Sequence, residues 1–96
     1  DEVDVGIGGG VAKVVGELLR ELGQKTQIFC VTHQAQVASQ GHNHLYVSKS
    51  TGGDSTQTSI VELDEKEIIR EVARMLGGDD FTDESLAHAQ QMVAAR

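Results

Sequence analysis

Proline and tryptophan are absent from this 96-residue chain, and aromatic residues make up only 3% of it. A core must therefore be built from Val, Leu, Ile and Ala, without the large rings that dominate many interiors. A single cysteine, Cys30, excludes an internal disulfide and makes a reducing, cytoplasmic setting the expectation. No run of about 18 apolar residues occurs, so no segment reads as a membrane span. No basic stretch followed by an apolar one marks a secretory signal. Basic charge is scarce as well: eight Lys+Arg face fifteen Asp+Glu, a formal net charge of −7. A surface of that sign does not grip nucleic-acid phosphates or anionic lipid by itself, so any DNA contact is expected outside this segment.

What is present is enough for one modest core. At 10.3 kDa a compact chain exposes roughly 5,400 Å², and about 64% of the unfolded surface is buried. Apolar residues form 39% of the sequence and recur with regular spacing, the pattern of a folded chain. The opening is an acidic pair, Asp1-Glu2, followed by Gly6, Gly8, Gly9 and Gly10 with no strand before them. It has the look of a piece of something longer.

Val11, Val14, Val15, Leu18, Leu19 and Leu22 recur at helical spacing, and Gly23 is placed to stop that helix. Gln27 to Thr32 is a nearly continuous apolar run of β-formers, which predicts a strand buried on both faces and delivering His33 at its end. Gln34 to Gln40 predicts a short helix closed by Gly41. The turn cluster Ser50 to Ser55 between two β-rich runs, His44 to Lys49 and Thr56 to Leu63, predicts a hairpin. Asp64, with Glu67 three residues on, predicts a capped helix bearing Ile68, Ile69, Val72, Ala73, Met75 and Leu76 and ended by Gly77-Gly78. Thr82 predicts the cap of a last helix, with Leu86, Ala89 and Val93 on its apolar side.

Several constellations invite chemistry. A histidine directly after a buried strand stands at the carboxyl edge of an α/β sheet, where such sheets bind ligands, although a structural histidine fits the same spot. The glycine cluster lacks the last glycine of G-x-G-x-x-G, and G-x-x-x-x-G-K-[ST] is absent. His42 and His44 share a side of a strand start, but no third metal ligand has suitable spacing. The serines Ser48, Ser50, Ser55 and Ser59 lie in turn and strand segments without a nucleophile elbow. An acidic pair alone is most simply a solvated turn.

Taken together, Asp1-Glu2-Val-Asp-Val-Gly-Ile-Gly-Gly-Gly10, the amphipathic helix, Phe29-Cys-Val-Thr-His33-Gln-Ala-Gln-Val-Ala38 and Ala73-Arg-Met-Leu-Gly-Gly78 resemble the C-terminal end of the RecN family. Those are bacterial double-strand-break repair ATPases related to the SMC proteins, and the likeness runs over the whole chain. It implies an α/β fold, the C-terminal part of a P-loop ATPase head of ABC/SMC type, with about three strands (one buried strand plus a hairpin) and three to four helices. Residues 1–96 then form one partial domain. Residues 1–10 carry the Walker B end and D-loop, 27–33 the strand and switch histidine, and 64–96 the C-terminal helices.

The resemblance also implies roles. Asp1 holds Mg²⁺ through water, and Glu2 polarises the water that attacks the γ-phosphate. Val5, Gly6, Ile7, Gly8 and Gly9 form the D-loop region facing a second head. His33 matches the switch histidine near the γ-phosphate. The SMC pattern has an acidic residue near the place of Gly8, so a D-loop contact here falls to the backbone. ATP and Mg²⁺ are implied for the complete protein only, because the Walker A half of the same head lies N-terminal to this piece. The implied partners are that half, a second head in a homodimer, and DNA through the parent protein, in a nucleoid-associated setting without a membrane. The segment alone is expected to be inactive. Two readings from other classes stay open: an acidic interaction module presenting Ala73 to Gly78 and the last helix to a partner, and a small self-sufficient nucleotide- or metal-binding α/β domain.

Overall fold

The computed structural model describes residues 9–96. The element order is α1 (Gly9–Gly23), α2 (Ala35–Ala38), β1 (Leu45–Gly52), β2 (Ser55–Glu62), α3 (Glu65–Gly77) and α4 (Asp83–Ala94). It is an α/β arrangement of four helices and one antiparallel hairpin, in agreement with the class expected.

The core lies between α2, α3 and α4. Ala35, Ile68, Val72, Ala73, Ala89 and Val93 form one buried cluster, with Leu63, Met75, Leu76, Phe81 and Leu86 packed against it. The apolar spacing of α3 and α4 thus faces inward as read from the sequence. Both helices begin as their capping residues dictate. The Asp64 carboxylate accepts from the Glu67 N–H at 2.8 Å while Glu67 Oε1 accepts from the Asp64 N–H at 3.0 Å, a closed capping box. The Thr82 hydroxyl accepts from the Ser85 N–H at 3.2 Å. Gly78 follows α3 with φ +82°, a conformation that side chains disfavour, and its N–H donates to the Arg74 carbonyl.

The hairpin is longer than its turn-rich composition indicated. Pairing runs from Leu45 opposite Glu62 to Gly52 opposite Ser55, leaving only Gly53 and Asp54 as the loop. Gly53 has φ +60°, and no non-glycine residue has positive φ among the described residues. A positive φ at the first loop position alone is the glycine-led hairpin turn whose twist matches the strands. Ser and Thr in the cluster therefore serve as strand residues rather than as a broad loop.

Two expectations are corrected. Gln27 to Thr32 is not assigned as a strand, and the sheet among the described residues contains β1 and β2 only. Phe29 is 80% and Val31 65% exposed, and Cys30 is exposed too. A strand buried on both faces needs a neighbour on each side, and the described residues supply no ladder there. The second correction concerns α1. The helix forms where its period places it, but Val11, Val14, Leu18 and Leu22 are more than half exposed, while Ala12 and Gly16 are buried. Its buried side is the small-residue side, because α1 packs on α2 at close range.

The exposed apolar side chains of α1 and of the 27–33 segment form faces fitted for cover.

Candidate functional site

Of the residues singled out from the sequence, Asp1, Glu2, Val5, Gly6, Ile7 and Gly8 lie outside the described residues. Gly9 is the first residue of α1. His33 is exposed and stands two residues before α2, next to Gln34, the N-cap residue of that helix. The Gln34 N–H donates to the Thr32 hydroxyl at 3.0 Å, which folds the chain into α2 directly after His33.

His33 lines an open groove of about 840 Å³ between α1, the 27–33 segment, the start of β1 and α3. Arg20, Cys30, His44, Glu71 and Arg74 also line it. Both arginines on its walls are engaged by protein acceptors. Arg20 Nη1 donates to the Gln40 carbonyl at 2.8 Å. Arg74 donates through Nε to Glu71 Oε1 at 2.9 Å and through Nη2 to the same oxygen, with Asp79 at 3.8 Å. The hydrogen bond to Glu71 raises the Arg74 pKa, so this cation stays charged throughout the accessible range. His44 is pushed the other way: burial lowers its pKa below 6.5, and the Glu71 carboxylate opposes that shift. The imidazole is thus held neutral near pH 7.

No group of three or more His, Cys, Asp or Glu suited to a metal ion occurs among the described residues, so His42 and His44 do not gather a third ligand there. No helix among them is long and apolar enough to cross a membrane. The interaction-module reading loses the face it relied on. Ala73, Ala89 and Val93 are buried in the core, and Met75 and Leu76 pack against it.

Sequence reasoning overlooked the contact between α1 and α2. A Cβ on Gly16 would lie 2.7 Å from the Gln36 carbonyl oxygen and 3.1 Å from the Val37 Cα. Arg20, one turn further along α1, reaches the Gln40 carbonyl, and Arg96 donates to the Gly41 carbonyl at 3.2 Å. The overlooked signal was the glycine itself. Glycine inside an otherwise regular helix costs about 1 kcal/mol relative to alanine, and a close backbone approach is the usual reason to keep it.

No protein-family model matches the chain. Curated relatives do. The DNA repair protein RecN of Vibrio cholerae is 50% identical over 95 residues, 99% of this chain and 17% of its own length. That of Haemophilus influenzae is 47% identical over 93 residues, again 17% of its length. That of Treponema pallidum is 43% identical over 95 residues. The chain therefore spans about one sixth of the relatives it matches. Similarity along nearly every residue, over about one sixth of the relatives' length, is consistent with a C-terminal fragment of a RecN protein, and the α/β arrangement of the segment fits part of an SMC-like head.

Proposed function

We propose that this chain is the hydrolytic half of a composite ATPase site in a DNA double-strand-break repair protein, supplying the Walker B acid, the D-loop and the switch histidine. The similarity to RecN proteins over 97–99% of the chain carries this reading. The exposed position of His33 on the wall of an open groove supports it. So does the engagement of Arg20 and Arg74 by protein acceptors, as expected where the phosphate cradle comes from another part of the molecule.

In this reading MgATP, when bound, supplies the phosphoryl group and the charge that neutralises it. Asp1 holds the metal through water, and Glu2 accepts hydrogen-bond donation from the attacking water and orients it. The His33 imidazole donates to a γ-phosphate oxygen and stabilises the charge developing there. The backbone from Val5 to Gly9 faces a second head, and DNA is engaged by other parts of the parent protein. The chain alone, lacking a Walker A loop, neither binds ATP tightly nor hydrolyses it.

The test is ATP turnover by the full-length parent protein, with and without DNA, comparing wild type with Glu2→Gln. A loss of about two orders of magnitude or more with nucleotide binding retained is the expected result. Unchanged turnover removes Asp1-Glu2 from the Walker B role and overturns the reading.

A further inference from the structure

We propose that Gly16 and Arg20 of α1 are positioning residues for His33, acting through α2; the inference rests on the reading of His33 as the γ-phosphate histidine. Helix α2 is a single turn of four residues. A helix that short has no stability of its own, so tertiary contacts decide where it sits. The chain offers it two supports. Ala35 enters the core cluster with Ile68 and Val72 of α3. On the opposite side α1 meets it backbone to backbone at Gly16, where the Gln36 carbonyl and the Val37 Cα occupy the space a side chain would need.

The C-terminal end of α2 is held in the same way. Its carbonyls are taken by the turn that follows, Ala35 accepting from the Ser39 N–H at 2.9 Å, Val37 from the Gln40 N–H at 3.1 Å and Ala38 from the Gly41 N–H at 3.2 Å, and that turn is itself tied to other elements. The Gln40 carbonyl accepts from Arg20 at 2.8 Å and the Gly41 carbonyl from Arg96 at 3.2 Å. The Arg20 contact joins residues twenty positions apart, across the same α1–α2 seam as Gly16.

His33 enters α2 through a tight local link. Thr32 Oγ1 accepts from the Gln34 N–H, and the Gln34 carbonyl accepts from the N–H groups of Val37 and Ala38 at 3.1 and 3.0 Å. Little slack separates the histidine from the helix, so a shift of α2 is passed to it. A methyl group at position 16 forces such a shift. The seam must open by about 0.7 Å before the 2.7 Å approach relaxes to ordinary contact at 3.4 Å. Displacement of a catalytic group on that scale costs roughly ten- to a hundredfold in rate, because hydrogen bonding to developing charge is steep in distance.

The experiment uses the full-length parent protein and a double-mutant design. Gly16→Ala, Arg20→Met, Arg20→Lys and His33→Gln are made singly, and Gly16→Ala and Arg20→Met are also made in the His33→Gln background. Steady-state kcat and KM for ATP are measured for each. Gly16→Ala and Arg20→Met are expected to lower kcat about ten- to a hundredfold with KM for ATP within about twofold of wild type. Arg20→Lys, which keeps a charged donor, recovers part of that loss. In the His33→Gln background neither substitution lowers kcat by more than about twofold. If His33→Gln costs turnover but the α1 substitutions have no effect, or act with full additivity on top of it, the positioning role is overturned while the reading of His33 stands. If His33→Gln leaves turnover unchanged, the reading of His33 itself falls and the positioning role with it. Should Gly16→Ala fail to fold, the Arg20→Met and Arg20→Lys pair decides the matter by the same criteria.

Discussion

Truncating Val72 to alanine probes whether the α2–α3–α4 cluster is what holds this chain together. Val72 is 0% exposed and sits among Ala35, Ile68, Ala73, Ala89 and Val93. Val72→Ala removes two buried methyl groups, about 0.8 kcal/mol each by transfer alone. The cavity left behind adds a few tenths to about 1 kcal/mol, because the surrounding helices relax only partly. The expected loss is about 2–2.5 kcal/mol. For a chain of this size each kcal/mol moves the thermal midpoint by about 4–8 °C, so the fall is about 8–20 °C. Val61→Ala on β2 is the control: Val61 is 50% exposed, and its truncation is expected to cost less than about 1 kcal/mol. The assay is thermal and urea unfolding of the 96-residue chain followed by far-ultraviolet circular dichroism. Equal losses for the two variants, or a Val72→Ala loss below about 0.5 kcal/mol, would refute the assignment of the core.

Two further predictions concern the cap of α3 and the burial of His44. Asp64→Ala opens the capping box and leaves the Glu67 N–H unsatisfied, at a cost of about 1 kcal/mol in urea unfolding; an unchanged midpoint would mean that the box is not formed in solution. His44 contributes stability that is fully present above pH 6.5, where the unfolded side chain is neutral, and that is lost as pH falls through its lower native value, since protonation favours the unfolded chain. Wild type is therefore expected to lose more stability than His44→Gln between about pH 7.5 and 5.5, and identical losses would show that burial of His44 carries no such penalty.

Local features were legible in the residues themselves. The Asp64–Glu67 box, the Thr82 cap and the Gly78 stop each involve groups within four positions of one another, and the hairpin was legible as well, though with a broader turn than the two-residue loop that forms. The periodicity of Ile68, Val72 and Ala73 likewise placed one face of α3 in the core. Of the candidate site, His33 was singled out by its place after an apolar run and the rest by resemblance: the acidic pair, Gly6 and Gly8 precede the described residues, and His33 is placed, exposed, where the run into α2 ends.

Tertiary structure decided the rest. Which side of α1 is buried could not follow from the spacing of Val11, Val14, Leu18 and Leu22, because the largest apolar stripe is covered only if a partner surface exists. α2 instead takes the Ala12 and Gly16 side at backbone distance. Whether Gln27 to Thr32 becomes a ladder strand depends in the same way on neighbours far off in sequence. Local hydrogen bonds and periodicity are properties of a segment, whereas burial and strand pairing belong to pairs of segments, and so the sequence by itself determined the elements while only the packed structure decided their faces.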